Sequence, residues 1–100
     1  MSARPPVTVR DAPGRSRYEA EVDGVLAGVA EYSIAGDRLI LQHTEVTPEA
    51  GGGGVGGALA RGALDDARAR GLRVVPRCPF MAAYIRRHPE YQELVADDAR

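Results

Sequence analysis

The sequence predicts one α/β domain: an antiparallel meander, a glycine-rich loop, a helix, one parallel strand and a second helix. Three observations support this fold class. Apolar and polar side chains alternate over residues 17–46, with turn signals between the alternating stretches. Six of the 12 glycines fall within residues 51–57. A helical apolar stripe follows directly over residues 58–70. The 100 residues suffice for one core, expected over about residues 7–95, and no domain boundary interrupts them.

The first half of the chain is predicted to form the meander. Tyr18, Ala20 and Val22 recur at every second position, which places them on one face of a strand. Asp23-Gly24 is typical of a two-residue hairpin turn. In the last strand, alternation predicts that His43 shares a face with Leu39 and Leu41 and also with Glu45. The predicted strands are 7–10, 17–22, 25–34 and 38–46.

The second half adds two helices and one strand. In residues 58–70, Leu59, Ala63 and Ala67 form the apolar stripe, and Gly71 ends the helix. Residues 72–76 form a short strand that should lie parallel to the strand before the helix. Pro79 suits the first position of a second helix, which His88-Pro89 ends.

Charge and cysteine content exclude several classes of protein. The 13 arginines nearly balance the 14 acidic residues, so no basic stripe predicts a nucleic-acid partner. No apolar run is long enough to span a membrane, and the N-terminus shows no signal-peptide pattern. Because Cys78 is the single cysteine, no internal disulfide can form, which predicts a reducing, cytoplasmic location.

The glycine run predicts an anion site. A strand, a glycine-rich loop and a helix together present main-chain N–H groups and the positive end of a helix dipole. The dinucleotide pattern G-x-G-x-x-G is met twice, but so many glycines match it almost automatically, and the preceding strand belongs to a meander. A phosphate loop ending in Gly-Lys-Ser/Thr is excluded because the chain has no lysine. A merely flexible loop is the remaining alternative.

The order of elements resembles the GNAT acetyltransferase superfamily, whose phosphate loop reads Q/R-x-x-G-x-G/A. Gly54 and Gly56 match that loop, whereas Gly51 stands where Gln or Arg is usual. The resemblance extends over residues 17–95 to minimal, YidJ-like GNAT proteins that lack the N-terminal helices and last strands of larger members. The motifs that carry it are His43-Thr44-Glu45-Val46, Pro76-Arg77-Cys78-Pro79-Phe80, Tyr84-Ile85 and His88-Pro89-Glu90-Tyr91.

The resemblance implies transfer of an acetyl group from acetyl-CoA to an amine acceptor. The cofactor is then expected between the strand that ends at Val46 and the strand 72–76. Main-chain groups of Val46 and Thr47 are expected to pair with the pantetheine arm and the thioester. The pyrophosphate is expected to lie on Gly52, Gly53, Gly54, Val55, Gly56, Gly57 and Ala58.

Four side chains are candidates for the chemistry. Glu45 is the first candidate for general base, and His43 is the second because imidazole is the side chain that ordinarily exchanges protons near neutral pH. Cys78 stands before a proline-started helix, where thiol pKa values fall, so it either relays the acetyl group or lines the pocket. The resemblance implies that Tyr84 protonates the departing thiolate. Direct transfer is preferred over an acyl-enzyme.

Other functions stay open from the sequence alone. A CoA-binding module without turnover is the main alternative, since a short chain leaves few residues for an acceptor pocket. A protein-interaction domain whose glycine loop binds nothing is the third. The histidines and the cysteine lack the spacing of a metal site, so no metal is predicted. The sequence indicates neither the acceptor amine nor the oligomeric state.

Overall fold

The computed structural model describes residues 6–50 and 54–99, which form a five-stranded mixed sheet with two main helices. The strands lie in the order β1-β2-β3-β4-β5, antiparallel except for the parallel pair β4 and β5. The predicted fold class is thereby confirmed. The elements are β1 (Val7–Ala12), β2 (Arg17–Val22), β3 (Val25–Ala35), β4 (Arg38–Val46), α1 (Val55–Ala69), β5 (Arg73–Pro76) and α2 (Pro79–Arg87). Short 3₁₀ helices lie at Pro13–Arg15, Pro48–Ala50, Pro89–Leu94 and Asp97–Ala99.

Local signals in the sequence set most of the element boundaries. Asp23 and Gly24 both have positive φ, 53° and 77°, as a two-residue turn that follows the twist of a hairpin requires. Helix α1 ends where Gly71 takes a φ of 69°. The Leu72 N–H then donates to the Ala67 carbonyl at 2.9 Å and the Gly71 N–H to the Arg68 carbonyl at 3.2 Å. These two bonds satisfy the last carbonyls of the helix.

One face of the sheet, here called the inner face, is covered by both helices. Helix α1 presents fully buried Leu59, Ala63, Leu64 and Ala67 to it, as the apolar stripe predicts. The sheet contributes fully buried residues at alternating positions: Tyr18, Ala20, Ala30, Leu39, Leu41 and Val74. Helix α2 adds buried Met81, Tyr84 and Ile85. The single core therefore lies between the sheet and the helix pair.

The opposite, outer face carries charged side chains. Glu19 is the one buried charged residue among those described, with an exposure of 2%. Its carboxylate binds three guanidinium groups, at 3.3 Å from Arg10, 3.2 Å from Arg15 and 2.8 Å from Arg17. The hydrogen bond from Arg17, together with that from Arg15, holds the pKa of Glu19 below its usual value despite burial. None of the helices in residues 6–50 and 54–99 has the length and apolar character that a membrane crossing requires.

Candidate active site

A gap opens in the sheet where β5 stops following β4. The two strands pair from Arg38 with Arg73 to Leu41 with Pro76. The Leu41 carbonyl then accepts both the Arg77 and the Cys78 N–H groups at 3.0 Å, and the chain turns into α2. Residues 42–46 of β4 therefore have β3 on one side, while no strand in the described part of the chain lies on the other. The gap exposes an unpaired main-chain edge.

At the end of β4, the main-chain groups of Thr47 and Val46 point to opposite sides. The Thr47 N–H donates to the Ala27 carbonyl of β3 at 2.9 Å, so this predicted donor is already engaged. Because successive residues of a strand direct their N–H and C=O groups to opposite sides, Val46 presents its own groups toward the gap. Val46, predicted to bind the pantetheine arm, thus lies at the open edge.

Helix α1 begins beside this gap, three residues earlier than the sequence predicts. Gly54 precedes it with a φ of 81°, and the Ala58 N–H donates to the Gly54 carbonyl at 3.0 Å. The amides of Val55, Gly56 and Gly57 therefore lie in the first turn, where an α-helix offers them no acceptor of its own. Ala58, predicted as a phosphate ligand, has its N–H engaged within the helix. The predictions for Gly52 and Gly53, and the departure at Gly51, lie outside the described residues.

Two of the glycines have a packing role. A Cβ at Gly56 would lie 2.9 Å from Cζ of Phe80, and a Cβ at Gly57 would lie 3.9 Å from Cε2 of Tyr84. The first turn of α1 is thus the surface on which the two rings of α2 rest. A side chain at position 56 would overlap the Phe80 ring, whereas one at position 57 would make only ordinary contact with Tyr84, so only position 56 requires glycine.

A bulge in β4 reverses the alternation that the sequence predicts. Glu31 pairs with His43 but Tyr32 pairs with Leu41, so Gln42 is an extra residue on β4. His43 therefore points to the outer face, and the prediction that it shares a face with Leu39 and Leu41 is wrong. The prediction that it shares a face with Glu45 is confirmed: His43 Nε2 lies 3.1 Å from Glu45 Oε1. Both side chains are exposed, at 56% and 71%.

Cys78 occupies the inner side of the same gap. It is buried, and its thiol donates to Thr44 Oγ1 at 3.4 Å. Burial has the largest single influence and raises the pKa of the thiol, but the Thr44 hydroxyl and the nearby main-chain amides together outweigh it, so the pKa of Cys78 is lowered. Main-chain amides of Met81, Phe80 and Thr44 add to this effect, although none forms a capping hydrogen bond to the sulfur.

Comparison with known proteins assigns the fold to a family. The sequence profile of the GCN5-related N-acetyl-transferases matches residues 17–94. The chain belongs to this family. Its fold resembles the solution structure of a GCN5-like candidate N-acetyltransferase from Staphylococcus aureus. The TM-score is 0.68 at 20% identity, over 89% of this chain and 87% of that one. No curated protein matches the sequence significantly.

For a GCN5-related N-acetyltransferase, the arrangement divides the predicted residues between the two faces of the sheet. His43 and Glu45 stand together on the outer face, beside the unpaired edge of β4. Cys78 lies on the inner side of that edge, and Tyr84 lies over the start of α1. Groups of three or more histidine, cysteine or carboxylate side chains that could hold a metal ion do not occur among the residues the structure describes.

Three residues near the site were not predicted from the sequence. Thr44 binds the Cys78 thiol, and its place between His43 and Glu45 already indicates that it faces the other way. Phe80 covers Gly56, which the Cys-Pro-Phe motif alone does not reveal. Glu31 lies directly opposite His43 across β3 and β4, and only the strand register shows this.

Proposed function

We propose that this protein transfers the acetyl group of acetyl-CoA directly to an amine that approaches from the outer face of the sheet. The observation that carries the proposal is the gap between β4 and β5, which has a glycine-started helix at one end and ionisable side chains on both faces. The unpaired thiol of Cys78 agrees with a reducing location such as the cytoplasm.

The residues around the gap are suited to binding acetyl-CoA, the donor of the acetyl group. The free amides at the start of α1, from Val55 to Gly57, suit the pyrophosphate, because a helix N-terminus binds anions through its N–H groups and its dipole. The positive φ of Gly54 turns the chain into that helix. The main chain of Val46 suits the pantetheine amides, which can pair with it as a neighbouring strand does. Bound there, acetyl-CoA supplies a thioester whose carbonyl carbon accepts the amine nitrogen and releases the thiolate.

Glu45 serves as the general base in this proposal. Its carboxylate is exposed on the outer face, so it can take the proton that the amine loses, directly or through one water. His43 holds that carboxylate at 3.1 Å and is the nearest group to which the proton can pass. We assign Glu45 the first role and His43 the second.

Tyr84 and Cys78 act on the other face. Tyr84 gives a proton to the departing thiolate, which makes the sulfur a better leaving group. Cys78 lines the inner wall, where its bond to Thr44 fixes the thiol. An acetyl relay through Cys78 is the less favoured route, because an amine on the outer face can reach the thioester without it.

The outer face also indicates the charge of the acceptor. Glu31 lies opposite His43, and neither Glu31 nor Glu45 pairs with an arginine in the described part of the chain. Exposed carboxylates raise the local concentration of a cationic ligand. A protein lysine, an N-terminus or a small amine meets this condition, each being protonated in water near neutral pH.

Release of free thiol from acetyl-CoA tests the proposal, measured with lysine peptides, N-terminal peptides and polyamines. Amine-dependent release is the expected result. CoA binding without release from any amine would identify a CoA-binding module instead. Absence of CoA binding at millimolar concentration would contradict both readings. Gly54→Ala tests the start of the helix: a side chain strains a φ of 81°, so we expect weaker CoA binding.

A further inference from the structure

The turn at the end of α2 has no part in the proposed reaction. It contains the motif His88-Pro89-Glu90-Tyr91, in which His88 ends the helix and Pro89 begins the following 3₁₀ helix. The imidazole of His88 has no hydrogen bond among the described residues. Its closest charged contact, Nδ1 to Oε2 of Glu90, measures 3.9 Å, and 40% of the side chain is exposed.

The contact that His88 does make is with Tyr84, through the faces of the two rings. Their centroids lie 4.0 Å apart at an interplanar angle of 21°, one helical turn apart along α2. The Tyr84 ring also contacts α1, where its Cε2 lies 3.9 Å from the position of a Cβ at Gly57. Since Cε2 adjoins the carbon that bears the hydroxyl, the hydroxyl end of the ring lies over the first turn of α1.

The turn that carries His88 is itself fastened to α1. The Tyr91 hydroxyl donates to Asp65 at 2.8 Å, and the guanidinium of Arg68 lies 5.4 Å from the Tyr91 ring centre. Arg68 also donates to the Glu90 carbonyl at 2.7 Å. The Tyr91 ring in turn lies 6.2 Å from the Tyr84 ring. These contacts hold His88 in the position where its ring stacks on Tyr84.

We propose that His88 is a positioning residue that acts through Tyr84: its ring face holds the phenol over the start of α1. This inference rests on the proposed function, in which Tyr84 protonates the departing thiolate. Position matters there because proton transfer requires hydrogen-bond distance to the sulfur, and small displacements of a catalytic group cost rate. The face of the His88 ring positions Tyr84, and the ring nitrogens are not required for this role.

Two substitutions separate the ring face from the nitrogens. His88→Ala removes the stack, and we expect kcat to fall about tenfold while CoA binding stays unchanged. His88→Phe keeps a flat ring against Tyr84 and should restore most of kcat. Glu90→Gln is the matched control, since it removes the charge nearest to His88, leaves the stack and should keep wild-type kcat.

A second readout does not depend on turnover. In protein with labelled tyrosines, nuclear Overhauser contacts between the Tyr84 ring and the Gly57 Hα protons report the position of the phenol. They should weaken in His88→Ala and persist in His88→Phe. If the wild type releases no thiol, the proposed function fails, whereas these contacts still decide whether His88 holds Tyr84.

Three outcomes would overturn the inference. Persistence of the Tyr84–Gly57 contacts in His88→Ala would show that the stack does not hold the ring. Equal losses in His88→Phe and His88→Ala would show that the imidazole nitrogens, and not the ring face, are needed. A parallel loss of thermal stability and CoA binding in His88→Ala would show a general structural role.

Discussion

Glu19 and Glu45 lie on the same face of the sheet, on one line of cross-strand partners with Val29 between them. Their surroundings differ sharply. The Glu19 side chain is 3% exposed and binds three arginines, whereas the Glu45 side chain is 71% exposed and contacts only His43 among the described residues. The first carboxylate is held by its ion pairs, and the second is open to solvent and to a substrate.

The ion pairs of Glu19 also explain why Glu31 has no arginine partner among the described residues. Arg17 lies directly between Glu19, two residues along its own strand, and Glu31, its partner on β3. Because Arg17 binds Glu19 at 2.8 Å, Glu31 has no ion pair within the described residues. On the outer face, the carboxylates over β2 are therefore paired with arginines, whereas Glu31 and Glu45 over β3 and β4 are not in the described part of the chain. The carboxylates without an arginine there lie on the two strands that reach the gap.

The largest expected effect is on turnover, in Glu45→Gln. If Glu45 is the general base, kcat should fall by about a hundredfold or more, which is the usual contribution of a positioned base. CoA binding and thermal stability should stay at wild-type values, because the side chain is exposed and its one ion pair among the described residues is with His43. Steady-state kinetics and CoA titration measure both. Glu21→Gln, on the same face over β2, is the matched control with unchanged kcat. Full activity in Glu45→Gln would transfer the role of base to His43.

The second prediction concerns stability, in Glu19→Gln. Loss of the charge leaves three guanidinium groups around a neutral amide, so Tm should fall by more than in Glu45→Gln. The pH dependence follows from the lowered pKa. A carboxyl whose folded-state pKa lies below its unfolded value of 4.5 stabilises the fold above that value, and the contribution is lost as pH falls through the folded-state pKa.

Thermal unfolding between pH 7 and pH 3 checks this sign. The Tm of the wild type should exceed that of Glu19→Gln at neutral pH, and this difference should shrink as the solution is acidified below about pH 4.5. A difference in Tm that stays constant over the whole range would show that the arginine contacts do not depend on the charge of Glu19.

The third prediction compares two adjacent glycines of α1. Gly57→Ala meets only ordinary contact with Tyr84 and should stabilise the helix, by about 1 kcal/mol at most. Gly56→Ala must displace the Phe80 ring, so we expect it to lower both Tm and CoA affinity relative to Gly57→Ala. Adding Phe80→Leu to Gly56→Ala should restore part of the Tm. Equal Tm values for the two single variants would show that the ring moves aside without cost.

The sequence predicted what local chemistry controls. Neighbouring residues determine the alternation of the strands, the Asp23-Gly24 turn and the Gly71 cap. The structure confirms strands β2 to β5 and the end of α1, which were predicted from these signals. The start of α1 was placed three residues late because glycines are poor helix formers. Tertiary packing overrides that preference, since Gly56 must leave room for the Phe80 ring of α2.

Features that depend on distant residues were beyond the sequence. The extra residue Gln42, which turns His43 to the outer face, exists only relative to the register of β3. The Cys78–Thr44 contact joins residues 34 positions apart, and the Tyr91–Asp65 bond joins residues 26 apart. Such contacts decide which candidates meet, so the sequence could name candidate residues but not divide them between the two faces of the sheet.

The smallest effect is expected for Cys78→Ala, which tests whether the inner face takes part in covalent chemistry. Direct transfer needs no nucleophile there, so kcat should stay close to that of the wild type, and mass spectrometry should find no acetylated protein after exposure to acetyl-CoA. Cys78→Ser is the matched variant, because a hydroxyl keeps the contact with Thr44 while being a poorer nucleophile.

The lowered pKa of Cys78 gives this experiment its force. It makes the thiolate easier to form than in an ordinary cysteine, so an acetyl relay is chemically possible even though the side chain is buried. Accumulation of acetyl-Cys78 together with loss of turnover in both variants would establish the relay and move the chemistry to the inner face. Retained turnover in both would leave the two faces with separate tasks: proton removal at Glu45, proton donation at Tyr84.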